Sequence, residues 1–159
     1  MTSPSQPSCG APPIHDAAAH SFQCVIPIRW SDQDVNGHVN NARVVTLMEE
    51  ARIHWLNEHA VVEGVENFTA PKVIASLNVE YLKPIVHGLE LTVEMAISRI
   101  GTRSFTISYT ASQGSHTVFQ GSTVVVPFDS NAGKARLLAP SETNYLNRYL
   151  ASPAIDDCS

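Results

Sequence analysis

Ser31-Asp32-Gln33-Asp34-Val35-Asn36-Gly37-His38-Val39-Asn40-Asn41 leads, after Ala42 and Arg43, into VVTLMEEARIHWLNEHA (residues 44–60). The first stretch is dense in Asp, Asn, Ser and Gly, residues that favour turns and helix caps over regular structure. It ends in two asparagines, either of which can cap a helix. The second stretch repeats at helical period: Val44, Leu47, Met48, Ala51 and Trp55 are spaced by three and four and form one apolar face. Such a stripe predicts a long helix packed on a core. Glu50 and His54 are spaced to pair across one helical turn.

On the N-terminal side, FQCVIPIRW (residues 22–30) alternates as a strand, and Pro27 marks it as an edge or bulged one. On the C-terminal side come four strand-like stretches: residues 73–82, 89–100, 104–113 and 116–128. The junctions KPIVHG, GTR and QGS are short and turn-like, which suits antiparallel neighbours and leaves no room for parallel crossovers. One strand, one long helix and four strands make an α+β fold, with a long central helix wrapped by a curled antiparallel sheet of about five strands. An edge strand left bare in so small a sheet predicts pairing with a second copy, as a homodimer or homotetramer.

Length and composition agree with a single domain. The chain has 159 residues, 43% hydrophobic and only 16% charged, too apolar for a disordered chain, and has no apolar run long enough to span a membrane. A net charge of -5 gives no broad attraction to phosphate backbones, so nucleic acid is not an expected partner. Cys9, Cys24 and Cys158 are odd in number and scattered, which fits neither a disulfide framework nor a CxxC site and points to a reducing cytoplasm. Residues 1–21 read as a disordered lead-in without the basic and apolar regions of a secretory signal, residues 22–150 as the domain, and residues 151–159 as a tail. A short helix is expected in SETNYLNRYL with Ser141 as its cap.

The chemistry concentrates in the opening stretch. There is no GxSxG, GxGxxG or GxxxxGK[ST] pattern, which sets aside serine hydrolases, dinucleotide-binding folds and P-loop nucleotidases. His54 and His59 are five apart, a spacing that does not put both on one helical face, so no metal site is expected. Between strand and helix, by contrast, eleven residues carry two carboxylates, four side-chain amides and the His38 imidazole, and all stand near a helix N-terminus. Free backbone N–H groups and the positive dipole end there favour developing negative charge. A capping loop would use Asp, Asn and Gly equally well; His38 is the residue that a turn does not require.

RWSDQDVNGHVNNARVVTLMEEAR (residues 29–52) resembles the signature of hotdog-fold thioesterases, in particular acyl-CoA thioesterases related to 4-hydroxybenzoyl-CoA thioesterase and the acyl-ACP thioesterases. A weaker likeness continues through NVEYLKPIVHGLELTVEMAISRIGTRSF (residues 78–105). The resemblance implies a hotdog domain that hydrolyses acyl-CoA to free acid and coenzyme A, with no cofactor. Its alternatives are acyl carrier protein as the thiol carrier, or a non-catalytic module that binds acyl thioesters. By the same resemblance Asp34 is the catalytic carboxylate, Asn36 and His38 act with it, and Glu49 on the helix is the reserve acid. Arg103 and Ser104 match a position where relatives bind coenzyme A phosphates, and Lys83 and Asn41 complete the substrate-binding candidates. Relatives usually carry Tyr where this chain has Val44, a smaller side chain beside the expected acyl pocket.

Overall fold

The structure is a computed structural model and describes residues 21–151; the expected N-terminal lead-in, almost all of the C-terminal tail, Cys9 and Cys158 lie outside the described residues. β1 (Phe22–Ile26) is followed by a 3-10 turn at Trp30–Asp32 and by α1 (Asn41–Ile53). The helix continues as a π-helical segment, His54–His59, and a last α-turn, α2 (Ala60–Val62). After a 3-10 turn at Glu66–Thr69 come β2 (Lys72–Tyr81), β3 (Leu91–Ile100), β4 (Phe105–Gln113), β5 (His116–Asp129), the two-residue β6 (Lys134–Ala135) and α3 (Pro140–Asn147).

The strands form one antiparallel sheet in the order β1-β3-β4-β5-β2, with β6 added on β5. Its five main strands curl around the helix, as the order of elements predicts. β1 is an edge strand and stops before Pro27, shorter than the nine residues read as a strand, because proline has no N–H to give to a ladder. The GTR and QGS turns join true neighbours. The KPIVHG junction does not: β2 pairs with β5, so residues 82–90 carry the chain from one side of the sheet to β3 on the other. Both edges of the sheet are thus made by the earliest strands, β1 and β2.

All five residues of the predicted apolar stripe are buried: Val44, Leu47, Met48, Ala51 and Trp55. They meet the inward residues of the sheet, among them Val93, Met95, Ile107, Tyr109 and Phe119. Each large side chain removed from water here contributes about 1.5–3 kcal/mol before conformational entropy is set against it. Room for the helix is made at Gly121, where an added Cβ would lie 2.5 Å from the Asn78 carbonyl oxygen and 3.1 Å from Met48 Cε. At the helix end Trp55 stacks on Phe22 at 5.6 Å and meets Tyr149 edge to face.

Two local expectations change. Glu50 pairs with Arg29 at 3.0 Å and His54 with Glu58 at 2.7 Å, in place of the Glu50–His54 pair. α3 is capped at Ala139 instead of Ser141, since Pro140 suits the first helical position and the Glu142 carboxylate accepts from the Ala139 N–H at 2.8 Å. That carboxylate is fully buried and takes both Nη atoms of Arg136, at 2.7 and 2.8 Å. Next to this pair Lys72 donates to the Phe68 and Ala70 carbonyls, and loss of water pushes its ammonium down to about 8, with Arg136 and Arg52 adding to the fall and Glu142 opposing it. Burial likewise pushes the free thiol of Cys24 up to about 12.

Candidate active site

The polar stretch before α1 folds as a miniature hairpin. Gln33 and Val39 bridge antiparallel, and the Asp34 N–H donates to the His38 carbonyl at 2.8 Å. Gly37 closes the turn at φ +75°, a conformation that side chains disfavour. The Val39 N–H donates to the Ile85 carbonyl at 2.9 Å, tying the hairpin to the crossing segment that follows β2.

The two carboxylates of this stretch part company. Asp32 is buried, accepts from the Arg29 backbone N–H at 2.8 Å and side-chain Nε at 3.3 Å, and offers its own carbonyl to the Asn40 N–H. It is a structural anchor. Asp34 lies in a cleft, with one carboxylate oxygen accepting from the Asn36 N–H at 2.8 Å. The loop thus holds one carboxylate that fixes its backbone and, two positions on, one that borders the cleft.

Helix capping leaves a particular amide open. Asn40 caps α1, its side chain accepting from the Ala42 N–H at 2.9 Å, while its carbonyl accepts from the Arg43 and Val44 N–H groups. The Asn41 N–H has no acceptor among the described residues, and it stands at the positive end of the helix. Tyr81, at the end of β2, donates its hydroxyl to the Asn41 carbonyl at 2.9 Å and so holds this peptide in place.

These groups border one cleft of about 430 Å³. Its polar side carries Asp34, Asn36, His38, Asn40 and Asn41; Val39, Val44, Leu82, Pro84 and Ile85 supply the apolar side, with Tyr81 and Lys83 at the β2 end. The fold thus brings together Asp34, Asn36, His38, Asn41 and Lys83. Glu49 is outside the cleft on an exposed part of α1, 3.7 Å from Arg52. Arg103 and Ser104 sit in the β3–β4 turn, at the opposite end of the sheet from Lys83, where Arg103 donates to the Ala135 carbonyl. Tyr81 is a cleft residue that no sequence motif marks beyond its place in the Tyr-Leu-Lys-Pro run.

His54 and His59 have separate partners, Glu58 for the first and the Tyr145 hydroxyl and Glu63 for the second. Among the described residues no group of three His, Cys, Asp or Glu side chains could hold a metal ion. No described helix is long and apolar enough to cross a membrane.

The same architecture recurs in solved structures. A predicted thioesterase from Bacillus stearothermophilus superposes with a TM-score of 0.74 at 26% identity, over 84% of this chain and 98% of its own. Fold and loop together define a thioesterase of the hotdog type. The model of the thioesterase-like superfamily matches residues 28–146; the chain belongs to that superfamily and is a thioester hydrolase. Among curated proteins it is 29% identical to the uncharacterized protein YsmA of Bacillus subtilis (strain 168) over 116 residues, covering 72% of this chain and 78% of YsmA. It is also 29% identical to the long-chain acyl-CoA thioesterase FadM of Escherichia coli (strain K12) over 87 residues, 55% of this chain and 66% of FadM.

Proposed function

We propose that the protein hydrolyses acyl-CoA thioesters to the free acid and coenzyme A, with Asp34 as the catalytic carboxylate. The observation that carries this reading is the meeting of the Asp34 carboxylate, Asn36, His38 and the open Asn41 N–H around one partly apolar cleft. The thioester carbonyl oxygen lies against the Asn41 N–H, where a donor aimed at developing negative charge contributes on the order of 3 kcal/mol. Two routes use the same carboxylate. In one, Asp34 takes a proton from water, the resulting hydroxide attacks the carbonyl carbon, the C–S bond breaks and the thiolate leaves. In the other, Asp34 attacks the carbonyl itself and water then opens the mixed anhydride. Asn36 and His38 orient the water or the carboxylate, and the acyl chain runs over Val44, Leu82 and Ile85.

The working unit in this reading is a homodimer. Among the described residues the outer edge of β2 has no neighbour in the sheet, and Val73, Ile74, Leu77, Tyr81 and Leu82 are exposed along that strand and just past its end. Antiparallel pairing of two β2 edges covers this surface. It also brings the partner subunit's Arg103 and the partner subunit's Ser104 to the same end of the joined sheet as the cleft, three strand spacings or about 15 Å across. FadM, a long-chain acyl-CoA thioesterase, supports the acyl-CoA class.

The test is thiol release from a panel of short, medium, long and aromatic acyl-CoAs, with acyl carrier protein esters alongside. Release from the coenzyme A esters is expected. Release from the carrier-protein esters alone would move the reading to that carrier, and binding without release from any ester would make the cleft a binding module.

A further inference from the structure

The cleft around Asp34 accommodates a thioester but leaves open where the charged end of its thiol carrier rests. A second concavity of about 230 Å³ adjoins it, and Lys83 and Pro84 border both. Val86, Leu89 and Val118 give it an apolar wall, and Gln113 and His116 also line it. That wall is built rigidly. Gln113 is buried; its Oε1 accepts from the Val86 N–H at 3.0 Å, and its Nε2 donates to the Val86 and Leu89 carbonyls at 2.9 and 3.2 Å. The side chain spends both its donors on this clamp, so it fixes the crossing segment and offers little to a ligand.

The groups left to meet a ligand are the Lys83 ammonium and the His116 imidazole. Both residues are exposed, and neither takes part in an ion pair among the described residues. A trough with an apolar wall and two basic groups suits an anion carried on an organic frame, with lysine acting on phosphate as a point charge. We propose that this second cleft receives the phosphorylated nucleotide end of coenzyme A. Lys83 stands at the junction where the uncharged arm passes from one cleft to the other, and His116 meets the phosphates at the far side. The assignment rests on the proposed hydrolysis of acyl-CoA and adds to it a phosphate subsite within the same chain.

The experiment compares kcat/KM for an acyl-CoA with that for the same acyl group on N-acetylcysteamine, which has no phosphates. It uses the full chain, Lys83→Ala/His116→Ala, Arg103→Ala and, as a control in the crossing segment, His87→Ala, whose residue borders neither cleft. In the double variant the ratio of the two kcat/KM values falls about tenfold, through KM for the acyl-CoA, and calorimetric binding of free coenzyme A weakens in parallel. His87→Ala keeps the wild-type ratio. Esters of dephospho-CoA and of 4′-phosphopantetheine show which phosphate is felt.

An unchanged ratio in the double variant, or a loss that follows Arg103→Ala instead, overturns the subsite while leaving hydrolysis standing. If the wild type hydrolyses neither ester but binds coenzyme A, and the double variant does not, the hydrolytic reading fails and the subsite survives. Absence of both hydrolysis and binding removes both.

Discussion

Asp32 and Asp34 offer a paired test, because the same change, Asp→Asn, made two residues apart should act on different properties. Asp32 is 1% exposed, and its carboxylate accepts from the Arg29 backbone N–H at 2.8 Å. A hydrogen bond to a charged group contributes about 1.5–3 kcal/mol, and asparagine keeps an acceptor, so the expected loss for Asp32→Asn is about 2 kcal/mol. For a domain of this size that lowers Tm by about 4–8 °C. Asp34 borders the cleft and its one recorded side-chain bond, to the Asn36 N–H, can be kept by asparagine. Asp34→Asn is therefore expected to leave Tm within about 1 °C, a surface-like change. Turnover, followed by thiol release from an acyl-CoA, should fall by about 100-fold or more, the contribution of a positioned base or nucleophile. Activity within about threefold of wild type in Asp34→Asn would remove that carboxylate from the mechanism. A large fall in Tm with Asp34→Asn, and none with Asp32→Asn, would refute the division of labour between them.

Gly121→Ala should destabilise by at least about 2 kcal/mol in urea unfolding, since the new methyl meets the Asn78 carbonyl oxygen of β2 and cannot be relieved by a rotamer change; a neutral result would mean that β2 shifts freely. Lys72 gives up its proton near pH 8 when folded but holds it to about 10.5 when unfolded, so stability should rise between those values as the folded protein loses a poorly solvated charge. In Lys72→Met that rise should vanish, and a wild-type minus variant Tm difference that is flat from pH 8 to 10 would contradict the assignment. Tyr81→Phe should cost about 1 kcal/mol and reduce kcat several-fold with little change in KM, because the lost bond holds the peptide of Asn41; an effect on KM alone would place Tyr81 in substrate binding instead.

The helix stripe was legible because Val44, Leu47, Met48, Ala51 and Trp55 repeat at a period that burial enforces, and all five are in the core. The π-helical turn at His54–His59 was not, for its one-residue offset coincides with Trp55 packing on Phe22 and Tyr149, contacts that come from distant parts of the chain. Residues 82–90 illustrate the same limit: their length suits a hairpin, and only the pairing of Val79 with Gly121 and Tyr81 with Phe119 shows that β2 has gone to the other side of β5. The loop from Ser31 to Asn41 stood out through its concentration of side-chain chemistry. Its division into a buried Asp32 and a cleft-lining Asp34 depends on which carboxylate meets the Arg29 N–H, a matter of backbone path. Arg103 could be read as a basic turn residue, but spacing along the chain carries no information about which end of a sheet a turn will occupy.

The crossing from β2 to β3 also bears on how the molecule is assembled. Tyr81, Lys83 and Ile85 border the cleft, yet β2 can join the sheet only through β5, whose partner residues begin near Phe119. On the ribosome, a nascent chain emerging from its N-terminus would present the Asp34 loop long before the strand that holds the opposite wall can be seated. Contacts so far apart in sequence also slow closure, since the intervening chain must be ordered first. The cleft is consequently among the last features to form, and a partly made chain lacks it until the sheet is complete.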